Sequence, residues 1–161
     1  MLRSILTTLL VLLPAAAAAA ANGLAVSGQW MRALAGGMPA AGYFVLRNDA
    51  AMPARLIGAS SPACGSLTLH QTIRQHTMSA MSALDPQNPT AGMPGMSMMQ
   101  PVAGVPIASH GTIGFTPGGY HLMCEQPTDA VRPGASVEVT LRFEGGGTLD
   151  AAFPVRSARG R

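Results

Sequence analysis

The sequence GGYHLMC, residues 118–124, is the stretch from which the rest of the chain is interpreted. A strand that begins at Tyr120 sends alternate side chains to opposite faces of a sheet, so His121 and Met123 are expected to project side by side. Their backbone positions then lie about 7 Å apart, which allows an imidazole and a thioether to bind the same ion. Thioether sulfur selects Cu(I), and imidazole also suits copper. We therefore predict that this strand carries half of a Cu(I) site.

Two residues further upstream complete the predicted site. One is Met99, and 21 residues separate it from His121. The other is His70, which lies on the polar side of an alternating run over residues 65–73. The predicted Cu(I) ligands are therefore His70, Met99, His121 and Met123. None of these side chains is an anion, whereas zinc prefers thiolate or carboxylate, and calcium and magnesium prefer oxygen ligands. The residues leave open whether Cu(II) binds as well.

A methionine-rich segment separates His70 from Met99. Six of the eleven methionines fall between residues 78 and 99, among Gly, Pro, Ser and Gln. Methionine ordinarily fills gaps in apolar cores, but this segment has little else from which to build a core. We interpret residues 74–98 as an inserted loop that holds secondary copper ligands, namely His76, Met78, Met81, Met93, Met96 and Met98. A flap over an apolar patch and a poorly ordered insert are the alternatives.

The first residues have the pattern of an export signal. Arg3 precedes a short apolar run, and a proline and an alanine-rich stretch follow, as in a secretory signal peptide. The apolar run is too short to span a bilayer, so we expect no membrane anchor. Removal of residues 1–21 leaves one domain, residues 22–156, and a short C-terminal tail, residues 157–161.

The chain has two cysteines, Cys64 and Cys124. In an exported protein an even pair indicates a disulfide first. Such a bond joins the segment before His70 to the residue after Met123. A thiolate metal ligand and a pair of buried free thiols are the competing interpretations, and we favour the disulfide.

After the leader, short β-type runs are separated by Gly and Pro. This pattern is typical of an all-β sandwich or barrel, here of about eight to nine short strands. The predicted strands cover residues 24–34, 41–47, 55–60, 65–73, 99–105, 112–115, 120–124, 137–144 and 149–155. The last two form the clearest hairpin, because both alternate and a run of glycines joins them. We expect Trp30, Tyr43, Phe44 and Phe115 in the core.

Charge and composition exclude several classes of function. The sequence has 10 basic and 7 acidic residues and a net charge of +3. All the basic residues are arginines, scattered singly, without the basic stripe that nucleic-acid binding needs. No nucleophile and base pair, paired carboxylates or phosphate-binding loop is recognisable in the sequence. We therefore expect a binding protein and not an enzyme.

These residues together resemble the periplasmic copper chaperones of the PCu(A)C family. The signature of that family is a His, then a Met, then 21 residues, then His-x-Met, and the spacing from Met99 to His121 matches it. The Trp30 and Arg32 pair in the first strand and the Pro-Gly-Gly before the His-x-Met strand are also similar. The resemblance extends over residues 24–155.

The chain departs from that pattern in one place. Here 28 residues separate His70 from Met99, more than the family has between its first His and its Met. The additional residues are the methionine-rich segment. His76 or Met98 is therefore an alternative to His70 as the upstream ligand.

The resemblance implies a cupredoxin-like β-sandwich with a Cu(I) site at one rim. It also implies a periplasmic metallochaperone that delivers copper by ligand exchange towards cytochrome c oxidase assembly. The expected partner is a copper-accepting protein, either a cytochrome oxidase subunit or another copper chaperone, and we expect a monomer. The alternatives are a copper-tolerance or storage protein, a cupredoxin-type electron carrier, and a structural or adhesive sandwich.

Overall fold

Strands make up nearly all of the regular structure. The computed structural model describes residues 23–74 and 97–158. The ten strands in these ranges are β1 (Leu24–Arg32), β2 (Ala40–Asn48), β3 (Ala54–Ser60), β4 (Cys64–Arg74), β5 (Ser97–Pro101), β6 (Val105–Ile107), β7 (Thr112–Phe115), β8 (Tyr120–Pro127), β9 (Ser136–Phe143) and β10 (Thr148–Arg156). A 3-10 turn at Ala35–Gly37 follows β1. None of the described residues belongs to a helix with the length and hydropathy that a bilayer crossing needs.

Hydrogen bonds join the ten strands into one continuous sheet in the order β5-β4-β8-β7-β2-β1-β10-β9-β3-β6. Two neighbouring pairs are parallel, β1 with β10 and β7 with β8. The sheet folds over a shared core, where Phe44 of β2 stacks on Phe115 of β7 with ring centroids 4.1 Å apart. Phe44 also meets Phe153 of β10 edge-on at 5.8 Å. These contacts confirm the predicted all-β sandwich and place Phe44 and Phe115 in its core.

Alternation along the strands decides which residues enter this core. In β9 the alternate apolar residues from Val137 to Phe143 are buried, while the residues between them are more exposed. β9 pairs with β10 across a turn in which Gly145 and Gly146 have φ angles of 85° and 90°. Residues with a Cβ rarely adopt a positive φ, so this turn favours glycine. The predicted C-terminal hairpin is confirmed.

The segment that follows residue 97 differs from the prediction. The sequence predicts one strand over residues 99–105, but β5 ends at Pro101 and β6 begins at Val105, at opposite edges of the sheet. The chain crosses between them at Gly104, where a Cβ would lie 3.0 Å from the carbonyl oxygen of Leu56. This close approach is available to glycine because it has no side chain. The described ranges therefore hold ten strands instead of the predicted eight to nine.

Truncation of an aromatic residue between the two halves of the sandwich tests the fold. Phe153→Ala should lower the free energy of unfolding by about 3 to 5 kcal/mol, because it leaves a cavity beside Phe44. The control is Ile57→Ala; Ile57 is 45% exposed, so its loss should be below about 1 kcal/mol. Denaturant titration of both variants measures the difference. Equal losses would contradict a central position for Phe153.

Candidate metal centre

Two histidines lie opposite each other on neighbouring strands. His70 on β4 is paired directly with His121 on β8, and their ring centroids are 5.8 Å apart. Both rings lie on the face of the sheet turned away from the core, because the adjacent residues Leu69 and Leu122 are buried in the core. Met123, two residues beyond His121, shares this outer face.

Met99 lies on the same outer face, at the edge of the sheet. β5 pairs with β4 so that Met99 is opposite Thr72, which is two residues from His70 and therefore on the same side of β4. Residues in such diagonal positions are about 7 to 8 Å apart, within reach of a methionine side chain. Met123 stands in the same diagonal relation to His70 across β8. The register thus brings all four predicted ligands to one face.

The four side chains lie at different depths. His121 is 3% exposed, His70 and Met123 are partly buried, and Met99 is 57% exposed. Because β5 is an edge strand, Met99 is the side chain that a second molecule reaches most easily. The candidate site therefore has a buried end and an open end.

A backbone carbonyl determines which nitrogen of His121 is protonated. Nδ1 lies 3.1 Å from the oxygen of Gly119, and a carbonyl oxygen only accepts, so Nδ1 carries the hydrogen and donates it. The same oxygen accepts the N–H of Thr72 at 3.1 Å. In the neutral ring Nε2 keeps a lone pair, and this atom is buried with no hydrogen-bond partner in the described structure. Metal-binding histidines have this arrangement, with one nitrogen held by an acceptor and the other free.

His70 also has a buried nitrogen without a partner. Nδ1 of this ring makes no hydrogen bond within the residues that the structure describes. Burial lowers the pKa of His70 below its ordinary value of 6.5, the neighbouring His121 lowers it further, and Glu125 opposes the shift. The ring is therefore neutral at neutral pH, which is the form that binds a metal ion.

The structure describes one of the secondary candidates, Met98, and places it away from this site. Met98 lies opposite Ile73 and so on the other face of β5 from Met99. The remaining secondary candidates lie outside the described residues and stay predictions: His76, Met78, Met81, Met93 and Met96. The strands also extend into the predicted loop of residues 74–98, because β4 includes Arg74 and β5 begins at Ser97.

The two cysteines form a disulfide, as the sequence predicts. Cys64 on β4 is bonded to Cys124 on β8, with Cα atoms 5.4 Å apart. These are the two cysteines of the whole sequence, so the alternatives of a thiolate ligand and of free thiols are wrong. A cupredoxin-type electron carrier needs a Cys thiolate on its copper, and this chain has none to offer. The bond joins the two strands that carry His70 and His121.

Two aromatic residues expected in the core lie beside the histidines, on the outer face: Tyr43 is buried as predicted, at 4% exposed, whereas Trp30 is partly exposed. Trp30 and Tyr43 form a cross-strand pair with ring centroids 4.8 Å apart, and the ring of Tyr43 is 6.5 Å from that of His121. The reason is alternation, since the next residues, Met31 and Phe44, take the core positions on β1 and β2. The rings of His70, His121, Tyr43 and Trp30 therefore form one row, which crosses β4, β8, β2 and β1 in that order. The same alternation is the sequence signal that would have placed these rings correctly.

Arginine side chains lie over Tyr43 and Trp30, the two rings of this row that are not histidines. The guanidinium carbon of Arg32 is 5.7 Å from the ring centroid of Tyr43, and that of Arg156 is 5.2 Å from the ring centroid of Trp30. Both are cation–π distances. Burial raises the pKa of Tyr43 above its ordinary value of 10.0, and the charge of Arg32 opposes this shift. Tyr43 is therefore a neutral phenol at neutral pH.

Two sequence comparisons identify relatives of this chain. The family model described as "Putative lipoprotein LpqE-like" matches residues 24–94 and 90–155. A relative from Leifsonia xyli subsp. xyli, "Putative lipoprotein Lxx21020", is 31% identical over 140 residues, which are 87% of this chain and 74% of the relative. Both matches extend over most of the chain.

Solved structures share the fold. The copper-bound PCuAC domain from PmoF2 matches with a TM-score of 0.60 over 84% of this chain and 93% of that domain, at 21% identity. The solution structure of apo-DR1885 from Deinococcus radiodurans has a TM-score of 0.57 over 100% of this chain and 99% of its own, at 27% identity. The CuI-DR1885 structure has a TM-score of 0.55 over 89% and 86%, also at 27% identity. The chain therefore belongs to the LpqE-like family and has the PCuAC fold, which confirms the resemblance to the PCu(A)C family that the spacing of Met99 and His121 indicates.

Proposed function

We propose that this protein binds one Cu(I) ion with His70, Met99, His121 and Met123 and passes it to another protein. The observation that carries the proposal is the pair of buried nitrogens, Nδ1 of His70 and Nε2 of His121, that have no partner in the described structure. A buried polar atom without a partner lowers the stability of the fold by about 1 to 3 kcal/mol. Two such atoms on adjacent rings therefore favour a bound ligand that contacts both. A copper ion between the rings would satisfy both.

The donor set favours Cu(I) over harder metal ions. Thioether sulfur and neutral imidazole are the ligands that suit copper, and thioether in particular selects Cu(I). In the described part of the chain, no three His, Cys, Asp or Glu side chains come together. Support for copper comes from CuI-DR1885, at 27% identity. Cu(II) binding is a secondary expectation of this proposal.

The depths of the ligands suggest how copper leaves. His121 is buried and held by the Gly119 carbonyl, whereas Met99 is exposed on an edge strand. A ligand from an acceptor displaces the Met99 thioether first, and both proteins then share the ion before it moves on. Copper keeps its oxidation state throughout, so the step is ligand exchange and not enzymatic catalysis.

The same proposal places the protein in the periplasm. Residues 1–21 have the pattern of a signal peptide, and relatives that carry the name lipoprotein favour the cell envelope. The disulfide is typical of an oxidising compartment. Both cysteines of the sequence are bonded to each other, so neither offers a thiol for lipid attachment. The proposed destination of copper is cytochrome oxidase assembly, through an oxidase subunit or another copper chaperone.

The methionine-rich segment favours copper storage as a second function. The segment connects β4 to β5 and ends beside Met99. Further thioethers there would hold additional Cu(I) close to the site, with lower affinity because they lack the paired imidazoles.

Removal of both ligands on β8 tests the site directly. His121→Ala with Met123→Ala should weaken Cu(I) binding at least 100-fold. Loss of a residue that only hydrogen-bonds to a metal ligand already lowers metal affinity by about 10- to 100-fold, and here two ligands are removed. The control removes the same residue types at exposed positions, His110→Asn with Met52→Ala, and should leave the affinity unchanged. Competition against a coloured Cu(I) chelator measures both variants. Equal affinity in all three proteins would contradict the proposed site.

The same titration separates the site from the methionine-rich segment. The test variant combines Met78→Leu, Met81→Leu, Met93→Leu and Met96→Leu. It should keep the tight equivalent of Cu(I) and lose any weaker ones, because leucine preserves the apolar volume and removes the sulfur. Loss of the tight equivalent would move the main site into the segment.

Acid should release copper from His70 only below the ordinary pKa of histidine. Protons compete with the metal as pH falls through the pKa of a ligand. Because burial and His121 lower the pKa of His70 from 6.5, its contribution to Cu(I) affinity should hold down to that pH and decline below it. An NMR titration of the copper-free protein measures the midpoint, and His121→Gln should raise it by removing one cause of the shift. A native midpoint at or above the ordinary value would be the contrary result.

A further inference from the structure

Two arginines lie next to the candidate site on its face of the sheet. β1 and β10 run parallel with Arg32 opposite Arg156. Arg32 is also paired with Ala41 on β2, and Ala41 is paired with Met123 on β8. One row across the sheet therefore holds Met123 and both arginines. Because strands are about 4.8 Å apart, the backbone of Arg32 lies two strand spacings from that of Met123, and Arg156 lies one strand farther.

The charges of these arginines have no acidic partner in the described part of the chain. The ion pair found there joins Arg47 to Asp49, and Nε of Arg32 is buried without a hydrogen bond. The two guanidinium groups lie over the rings of Tyr43 and Trp30 instead. Like charges on paired strands are destabilising. The cation–π contacts explain where the guanidinium groups lie, but they leave both positive charges unneutralised.

Two acidic residues on neighbouring strands, Asp150 and Glu125, lie away from the pair. Asp150 is on β10, six residues before Arg156, which is about 20 Å along the strand. Glu125 is on β8 and opposite Ser66 of β4, whereas β1 and β10 lie on the other side of β8. The outer face is therefore positive on the β1 and β10 side of the site and carries the Glu125 carboxylate towards β4.

We propose that this face is the docking surface for the copper acceptor and that the acceptor presents carboxylate groups to Arg32 and Arg156. The inference rests on the proposed function, because the partner is defined by the copper that it takes. Opposite charges on two surfaces speed their encounter and set their orientation. Carboxylates on the arginines would hold the partner across this outer face, so that its copper ligands extend over His121 and His70 to the exposed Met99. They would also compensate the charges that the fold leaves unpaired.

The residue types beside the arginines fit an interface as well. Trp30 is partly exposed between Arg156 and Tyr43. Tryptophan, tyrosine and arginine are the residues enriched where partner proteins bind most strongly. Trp30 therefore offers a rigid contact area beside the copper ligands, and the buried ring of Tyr43, 4% exposed, supports it from within the row.

Copper transfer to two synthetic peptides tests the charge requirement. Both peptides carry His and Met ligands for Cu(I), and one adds a run of Glu where the other has Gln. Arg156→Gln removes one charge from the proposed surface at an exposed position, three strands from Met123. Arg142→Gln is the matched control, because Arg142 is exposed on β9, where the buried residues face the core from the other half of the sandwich.

The native protein should transfer Cu(I) to the Glu peptide about 3- to 10-fold faster than to the Gln peptide at low ionic strength. Arg156→Gln should remove most of this difference, and Arg142→Gln should keep it. High salt should abolish the difference in all three proteins. Their Cu(I) affinities, measured by chelator competition, should be equal, which shows that the site itself is intact.

Each contrary outcome has a distinct meaning. Equal rates for the two peptides, from a native protein that holds Cu(I), would overturn the docking surface and leave the proposed function standing. A native protein that binds no Cu(I) would overturn the proposed function and this inference with it. Equal losses in both arginine variants would overturn the docking surface, because net charge alone would explain them. Binding to vesicles of anionic phospholipid, lost in Arg156→Gln, would assign the arginines to a membrane surface instead.

Discussion

The pairing of β4 with β8 is the constraint on which the candidate site depends. The register places His70 opposite His121, and a shift of β4 by one residue would turn each of its side chains to the other face. His70 would then enter the core and Leu69 would leave it, at the cost of a buried imidazole and a lost apolar contact. The disulfide between Cys64 and Cys124 joins the same two strands. Apolar packing and a covalent bond therefore maintain the register that the chemistry needs.

The edge strand β5 is held less firmly than the pair of β4 and β8. β5 is bonded to β4 on one side only, and all five of its residues, including Met99, are exposed. Edge segments with few buried contacts open at lower cost than central strands. A protein that holds a metal ion and also gives it up needs both properties. Here the paired histidines belong to the central strands, and the exposed thioether belongs to the edge.

Features of the site that depend on the pattern along one strand can be predicted from the sequence, whereas features that depend on which strands pair cannot. The i, i+2 spacing on β8 and the alternation around His70 predict which face each side chain takes, and the structure has them on those faces. The choice of β8 and β5 as neighbours of β4 depends on packing between distant segments, so local patterns do not contain it. The prediction for Trp30 and Tyr43 differs from the structure for another reason: Tyr43 is buried as predicted, but both rings lie on the outer face of the sheet. Hydrophobicity alone predicts burial in the core, whereas alternation reserves those positions for Met31 and Phe44.

One oxygen atom links the end of β4 to the imidazole of His121. The Gly119 carbonyl accepts the Thr72 N–H and the Nδ1 hydrogen of His121, each at 3.1 Å. Thr72 lies two residues before β4 ends at Arg74, where the methionine-rich segment begins. A displacement of Thr72 at the end of β4 would therefore change the hydrogen bonding of the His121 ring, because the carbonyl that accepts the Nδ1 hydrogen also influences the electron pair that Nε2 offers to a metal ion.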